Sequence, residues 1–201
     1  MLFNAKKNLL LSVIIALIFA GAALAVLTAL PTAAAPVYSV SVYTGNQAAD
    51  GLHFNYNSSG DYATQVSGQA AWYDASTGTA TQLGTLGGSS SGGRGISDNG
   101  KVAGWSYLPG NSAYHAFLWE GGALQDLGTL GGANSHGYAV NDSGQVVGYS
   151  YITGNSVWHA FLWEDGTITD LGTLGGDLSY AYDINNAGQV VGQSLIAGDS
   201  A

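Results

Sequence analysis

Two histidines recur at the same place in a repeated sequence, and their chemistry is the first to consider. His115 and His159 each begin the sequence His-Ala-Phe-Leu-Trp-Glu, 44 residues apart. Histidine is a common zinc ligand, but a zinc site needs several ligands, and each copy offers one His with no carboxylate at a fixed spacing. Gln69 stands at the corresponding place upstream. We therefore predict that these histidines cap a strand, and we expect no metal site and no cofactor.

Each copy also carries two acidic residues that could form a catalytic pair. The two sets are Glu120 with Asp126 and Glu164 with Asp170. Glycoside hydrolysis uses two carboxylates whose environments hold them in different ionisation states. Because these acids are copies of one another beside turns, they lack that asymmetry. The pattern predicts no catalytic residue and a protein that is not an enzyme.

Further polar side chains lie in predicted hairpin turns, at Asp98, Asp142 and Asn186. A calcium site needs about six to eight oxygen ligands, and each turn offers one or two side chains. Asp and Asn are ordinary turn formers, so we predict a structural role for them. The chain has no Cys, which removes disulfides, thiolate zinc sites and cysteine nucleophiles together.

The elements that must position these residues recur every 44 residues. The sequence Leu-Gly-Thr-Leu-Gly-Gly occurs at 83–88, 127–132 and 171–176. A fixed period decides the architecture of a chain. The copies are a worn repeat at about 45–82, full repeats at 83–126 and 127–170, and a truncated repeat at 171–201.

Each repeat reads as four short strands joined by two hairpins. In the copy at 127–170 we predict strands at about Tyr138–Asn141, Gln145–Tyr151, Trp158–Trp163 and Thr167–Leu171. Asp142-Ser143-Gly144 would form the first turn, with Gly144 supplying the positive φ. A period near 44 with four strands is typical of a β-propeller blade. The predicted fold is all-β, with tandem four-stranded repeats that form a partial or small β-propeller.

Aromatic residues flank the predicted loop between the second and third strands of each full repeat. They are Trp105, Tyr107, Tyr114, Tyr149, Tyr151 and Trp158. Aromatic faces with few charges nearby suit sugar binding, and Gly-Asn-Ser in the loop adds polar groups. These six are the candidate ligand-binding residues, with an extracellular glycan or a protein as the partner. The alternative is that they pack between adjacent blades, and the large area that such rings bury favours it.

Three motifs of the chain resemble a known family. The sequences His-Ala-Phe-Leu-Trp, Asp-Leu-Gly-Thr-Leu-Gly-Gly and Asn-Asp-Ser-Gly-Gln-Val-Val-Gly are similar to the bacterial extracellular repeats named HAF after His-Ala-Phe. The resemblance covers about 51–201 and is weak before Leu83. It implies export, blade-like repeats and often attachment to the cell surface, and it implies no reaction. The chain departs from the pattern at Gln69, and at Arg94 and Gly95, where the other copies carry bulkier or aromatic residues.

Three and a half repeats leave open how the array ends. A terminal strand at Val37–Tyr43 could complete the truncated repeat and give an approximately four-bladed ring. Alternatively, the chain is a fragment of a longer protein. Open sheet edges can pair with other chains, so self-association is a further expectation.

The N-terminus carries an export signal. Lys6 and Lys7 precede an uncharged apolar stretch at Leu9–Leu30, which predicts a hydrophobic helix. Residues 1–35 are therefore a cleaved signal peptide or an uncleaved membrane anchor. Residues 36–201 form the β-repeat domain on the outside, with the membrane as a partner only through an uncleaved anchor.

The charge balance excludes one class of partner. The chain has four basic residues against 13 acidic ones and a net charge of -9, so it cannot neutralise a phosphate backbone and nucleic acid is not a partner. We predict an exported, non-enzymatic repeat protein with a structural or binding role at the cell surface. The alternatives are a self-assembling extracellular matrix or filament subunit, and a propeller enzyme or lectin acting on polysaccharide.

Overall fold

Short runs of β-branched and aromatic residues alternate with glycine turns, and they form strands through most of the described chain. The structure is a computed structural model that describes residues 56–199, which belong to one compact unit, Phe54–Ala201. The predictions for residues 1–35 and Val37–Tyr43 lie outside the described residues. No helix occurs within 56–199, and none there could span a membrane.

Within residues 56–199, thirteen strands form four antiparallel sheets. The strands are β1 (Tyr62–Val66), β2 (Gln69–Asp74), β3 (Thr79–Gly84), β4 (Ser91–Ile96), β5 (Val102–Tyr107), β6 (Tyr114–Glu120), β7 (Ala123–Asp126), β8 (Gly131–Val140), β9 (Val146–Ile152), β10 (Trp158–Glu164), β11 (Thr167–Gly172), β12 (Gly175–Ile184) and β13 (Val190–Ile196). The first sheet is β1–β3, the second β4–β7, the third β8–β11 and the fourth β12–β13, each a meander in chain order. The all-β prediction is confirmed for the described residues.

The third sheet shows how the repeat sequence specifies its strands. Three of the four strand predictions agree with it to within a residue at each end, and Gly144 turns the first hairpin with a φ of 87°. The first strand was predicted too short, because β8 starts at Gly131 instead of Tyr138. Gly131 adopts a φ of 101°, and a Cβ on Gly132 would lie 2.6 Å from the Tyr151 carbonyl oxygen. The two glycines therefore allow β8 to pair closely with β9.

Neighbouring sheets pack face to face around small apolar clusters. Between the second and third sheets the buried side chains include Leu118, Val146, Phe161 and Trp163. Between the first and second sheets Phe117 is fully buried, with Trp119 partly buried against it. These clusters come from alternate positions of the strands, as expected for sheets whose inner faces interdigitate.

A buried serine joins each sheet to the one before it. Ser135, in the middle of β8, accepts a hydrogen bond from Ala116 N–H at 2.8 Å and donates one to Gly128 C=O at 2.5 Å. Ser91 and Ser179 make the equivalent bonds at their own sheet junctions. We call this arrangement the serine clasp. It satisfies backbone groups that the strands themselves leave unpaired at the end of the preceding sheet.

The four sheets are equivalent units in different states of completeness. The first sheet holds the second, third and fourth strands of a unit, with Tyr56 bridging to Tyr62 where the first strand would end. The second and third sheets are complete, and the fourth holds the first two strands. The described residues contain no closed barrel. They form a series of blade-like units, each packed on the next.

Candidate functional site

The six predicted aromatic residues form two equivalent groups on the second and third sheets. Trp105 and Tyr107 lie on β5 and Tyr114 on β6, with Tyr107 directly opposite Tyr114 in the sheet register. The three ring centres lie 5.6 to 6.1 Å apart, all edge to face. Aromatic pairs prefer this geometry. The register of the strands therefore places the residues together although the loop separates them in sequence.

The third sheet repeats the arrangement with Tyr149 and Tyr151 on β9 and Trp158 on β10. Tyr151 lies opposite Trp158, and their ring centres are 5.3 Å apart. The hydroxyl oxygens of Tyr114 and Tyr149 lie 3.5 Å apart, which links the two groups across the sheet boundary. The rings thus pack between neighbouring sheets, as the burial argument expected, and all six stay partly exposed to solvent.

Four further residues belong to the same surface and were not predicted. His136 lies between Trp105, at 6.1 Å, and Tyr149, on which it stacks at 5.6 Å. The other three are Tyr138, Tyr180 and Tyr182. The sequence did contain a signal, because Tyr138 and Tyr182 are equivalent repeat positions and so are His136 and Tyr180. His136 was missed because the first strand of the repeat was predicted to begin after it.

We call these ten side chains the aromatic surface. It runs without interruption across the second, third and fourth sheets. Its members are Trp105, Tyr107, Tyr114, His136, Tyr138, Tyr149, Tyr151, Trp158, Tyr180 and Tyr182. His136 is the most buried at 8% exposure and Tyr182 the most exposed at 43%. A depression of about 360 Å³ on the fourth sheet is lined in part by Tyr180 and Tyr182.

The first strands of three successive sheets carry an irregularity at one equivalent position. The pairing shifts by one residue between Gly93 and Gly95, between Gly137 and Ala139, and between Ala181 and Asp183. A β-bulge of this kind leaves the extra residue out of the ladder and re-aims its side chain. The bulged residues are Arg94, Tyr138 and Tyr182. Two of the three are on the aromatic surface, and the third is a cation.

Burial keeps the aromatic surface uncharged at ordinary pH. Burial, with a smaller contribution from the Arg94 charge, lowers the pKa of His136 to about 3. Burial also raises the pKa of Tyr138 to about 12, and burial together with the hydrogen bond between the Tyr149 and Tyr114 hydroxyls raises the pKa of Tyr149. His136 is therefore neutral, with Nδ1 donating to the Gly137 carbonyl oxygen at 3.1 Å.

The side-chain oxygens of the loop asparagines are engaged within the fold. Asn111 Oδ1 accepts a hydrogen bond from Ser89 N–H at 2.8 Å, and Asn155 Oδ1 accepts one from Ala133 N–H at 2.6 Å. Both asparagines have a φ of 57°, a conformation that Asn tolerates better than most residues. The Asn oxygen of each Gly-Asn-Ser loop thus holds the chain near the start of the first strand of the same sheet.

The recurring histidines do have a carboxylate partner at a fixed spacing, which corrects the sequence analysis. His115 Nδ1 lies 2.8 Å from Asp126, and His159 Nδ1 lies 2.8 Å from Asp170, each pair 11 residues apart. Burial opposes ionisation of Asp126, but hydrogen bonds from His115 and from Gly128 N–H outweigh it and lower its pKa. Among residues 56–199 no group of three or more metal-ligating side chains occurs.

The turn residues bind backbone groups of the neighbouring turn. Asp98 accepts from Ser58 N–H at 2.7 Å, Asp142 from Asn99 N–H at 3.1 Å, and Asn186 from Asp142 N–H at 2.9 Å. The turns of successive sheets therefore form a ladder. Each of these side chains has a partner within the fold.

The acid pairs of the repeats are not brought together. Glu120 lies at the hairpin turn, where it forms an ion pair with Lys101 at 2.6 Å. Asp126 lies at the far end of β7, opposite Phe117. In the third sheet Glu164 accepts from Gln145 at 2.8 Å, while Asp170 binds His159. The carboxylates of each pair thus serve different parts of the scaffold.

Comparison with solved structures places this architecture among β-propellers. The chain is similar to TolB from Acinetobacter baumannii, a β-propeller protein, with a TM-score of 0.53 and 12% sequence identity. The match covers 82% of this chain and 44% of that one, so this chain spans less than half the length of its structural neighbour. At this identity the likeness concerns the fold alone.

No family model matches the sequence, and the comparison with curated proteins gave no match either. The chemical character of the surface must therefore be taken from its own residues. It offers ring faces, hydroxyl groups and the indole N–H of Trp105, whereas the Nε1 of Trp158 is buried. Such a surface can stack on flat apolar faces and hydrogen-bond at its edges, and none of its members is a nucleophile activated by a neighbouring base.

Proposed function

We propose that this chain is an exported, non-enzymatic repeat protein of the HAF type, which acts at the cell surface by binding an extracellular glycan through the aromatic surface. The observation that carries the proposal is the continuity of that surface over three sheets. Scaffold packing alone needs rings only at each sheet junction. The ring contacts of Tyr107, by contrast, are with Trp105 and Tyr114 of its own sheet.

The chemistry of the surface favours a glycan. A sugar ring has a face of C–H groups and a rim of hydroxyls, and the partly exposed rings offer a matching apolar face with polar edges. Tyr and Trp give large contact area with few rotatable bonds, so little entropy is lost when a ligand binds them.

A non-enzymatic role is supported by the partners of the polar residues. The recurring His, Asp and Glu side chains bind one another, Lys101 or backbone N–H groups. Residues that recur with the scaffold and are engaged by it have the character of structural residues. Export and a location at the cell surface rest on the sequence of residues 1–35.

The proposal is tested on a glycan array with the full chain and three variants. We expect the natural chain to give signals that Tyr107→Ala and Tyr151→Ala weaken by about tenfold each, since aromatic anchors dominate such contacts. Tyr73→Ala is the matched control, because Tyr73 stacks on Tyr62 in the first sheet, outside the aromatic surface. An array without any signal, or signals equal for all four proteins, would contradict the proposal.

A second candidate is assembly into a matrix or filament, and the fourth sheet supplies an observation for it. Leu174, Val191 and Ile196 are 72%, 61% and 57% exposed, and β13 pairs with β12 alone among the described strands. An apolar strand at a sheet edge can pair with a second copy of the chain. Light scattering separates the candidates. Oligomers of the natural chain that are absent in Val191→Lys support assembly, whereas a monomer at every concentration contradicts assembly.

A further inference from the structure

Arg94 differs in chemical type from the residues at the equivalent positions of the next two sheets, which belong to the aromatic surface. It occupies the bulge of β4, where the next two sheets place Tyr138 and Tyr182. A departure from the repeated residue type is not required by the architecture that the units share, so a change of chemical type at a side-chain position re-aimed by a bulge points to a specific use. The change introduces a permanent positive charge into a row of neutral rings.

The Arg94 guanidinium has no hydrogen-bond or ion-pair partner among residues 56–199. Within residues 56–199 the other basic residue is Lys101, which is paired with Glu120. Arg94 forms no ion pair and no hydrogen bond with any described residue. Its side chain is half-buried, and a guanidinium carries five N–H donors in a fixed fork. The chain has a net charge of -9, yet this half-buried cation has no counter-ion among the described residues. An anionic group of a ligand can supply that counter-ion.

The groups around Arg94 belong to the aromatic surface. A Cβ on the neighbouring Gly95 would lie 2.7 Å from the Tyr138 carbonyl oxygen, so the bulge of β4 lies against β8 of the next sheet. The charge of Arg94 also influences the pKa of His136 and that of Tyr138. Trp105 contacts His136 from the same sheet as Arg94, and a Cβ on Gly92 would lie 2.7 Å from the indole Nε1. The missing side chain at Gly92 therefore gives the Trp105 ring its place beside the first strand.

Trp105, on the same sheet as Arg94, supplies a second hydrogen-bond donor that no described residue engages. The indole N–H makes no hydrogen bond to a described residue. No carboxylate of the described chain is paired with either donor. The second sheet thus contributes the ring face and indole N–H of Trp105 and the guanidinium of Arg94. These hydrogen-bond donors have no acceptor among the described residues.

Resting on the proposed function, we propose that the aromatic surface recognises a carboxylate-bearing glycan, with the guanidinium of Arg94 binding the carboxylate of a uronic acid unit. A guanidinium matches a carboxylate with two parallel hydrogen bonds, which gives both geometry and charge recognition. A single cation suits one acidic sugar unit seated on rings, whereas a polyphosphate would need several. Neutral His136 does not compete for the anion.

The test uses glycans in matched pairs, each uronic acid oligosaccharide beside its methyl ester, together with neutral and sulfated glycans on the same array. We expect the natural chain to bind the free acids at least about tenfold better than the esters, the size of one charged hydrogen-bonded contact. Arg94→Tyr places at this position the residue type found in the next repeat. This variant should bind the free acids and the methyl esters about equally, and its binding of the esters should persist. Arg94→Lys should restore part of the preference for the free acids.

The other possible results contradict the role of Arg94, the carboxylate as the ligand group, or glycan binding itself. Equal binding of acids and esters by the natural chain, or a preference that survives in Arg94→Tyr, overturns the assignment of Arg94 and leaves the proposed function standing. Signals confined to neutral or to sulfated glycans overturn the carboxylate as the ligand group. An array with no signal overturns the proposed function as well. Thermal unfolding of Arg94→Tyr, expected to match that of the natural chain, excludes misfolding as the cause.

Discussion

At the scale of single residues, His136 is the buried titratable group whose charge state matters most to the fold. It stacks on Tyr149 and lies beside Arg94, and it has a pKa of about 3 against about 6.5 in an unfolded chain. Between those two values the unfolded chain binds a proton that the folded chain does not. Stability therefore falls as the pH drops from 6.5 toward 3 and is fully retained above 6.5.

This linkage is tested with His136→Tyr, which installs the residue of the equivalent position in the fourth sheet, Tyr180. From pH 7 to pH 4.5 the natural chain should lose about 2.7 kcal/mol through His136, two pH units at about 1.36 kcal/mol each. The variant should lack that loss. The measurement is the free energy of unfolding by urea at both pH values. If the two proteins lose equal stability, the account of His136 is wrong.

The His–Asp pairs allow a test that the repeats themselves suggest. The first sheet carries Gln69 and Gln82 at the positions of His115 and Asp126, so both partners change together. We expect His115→Gln and Asp126→Gln each to destabilise the fold, and the double variant to cost less than their sum by about 0.5–1 kcal/mol. A double-mutant cycle in urea measures the difference. Additive effects would show that the pair contributes no coupling.

The pairing of these residues could have been predicted from the sequence. The interval from His to Asp is 11 residues in both full copies, and both residues are replaced in the worn copy. The prediction failed because the carboxylate was sought close to the histidine, whereas a hairpin brings distant residues opposite each other. His115 is the second residue of β6, where it lies opposite Ser106 of β5.

At the scale of elements, the serine clasp fixes each sheet to its predecessor. Ser135 is fully buried, and its hydroxyl satisfies two backbone groups of the preceding sheet, Ala116 N–H and Gly128 C=O. A buried backbone group without a partner loses its full solvation energy. Each sheet therefore supplies the hydrogen-bond partner for backbone groups at the end of the sheet before it.

Replacement of Ser135 by Ala should destabilise the protein by about 2–3 kcal/mol, because two buried backbone groups lose their partner. Ser143→Ala is the control, since Ser143 is exposed in a turn and its change should stay within about 0.5 kcal/mol. Urea unfolding gives both values, and amide exchange at Ala116 gives a local readout. Equal stability of the two variants would contradict the role of the clasp.

The strands show how far the repeat sequence predicts local structure. Alternating apolar residues and the turn at Gly144 predicted the three later strands of the third sheet. The first strand begins seven residues earlier than predicted, because Gly131 pairs with Ile152 of β9 although glycine usually marks a loop. The bulges at Arg94, Tyr138 and Tyr182 had no sequence signal. Their cause is register, which only the pairing of two strands defines.

At the scale of the whole molecule, the sequence predicted a propeller-type repeat array from its period, and the likeness to TolB agrees with that class of fold. It also predicted six of the ten members of the aromatic surface, because those six flank one loop. The other four lie on first strands: His136 and Tyr138 contact Tyr149 within the third sheet, and Tyr180 and Tyr182 join the surface through contacts with that sheet. The contacts between sheets depend on how one unit packs on the next, which a single repeat does not specify.

The central claim is that the aromatic surface binds a ligand as well as packing the sheets together. Isothermal titration of the full chain with its best glycan on the array, beside Trp158→Phe, tests it most directly, because Phe keeps a ring against Tyr180 while it removes the indole. We predict that the variant binds about tenfold more weakly at a nearly unchanged melting temperature. Unchanged affinity together with a lowered melting temperature would show that the rings serve packing alone, and would contradict the claim.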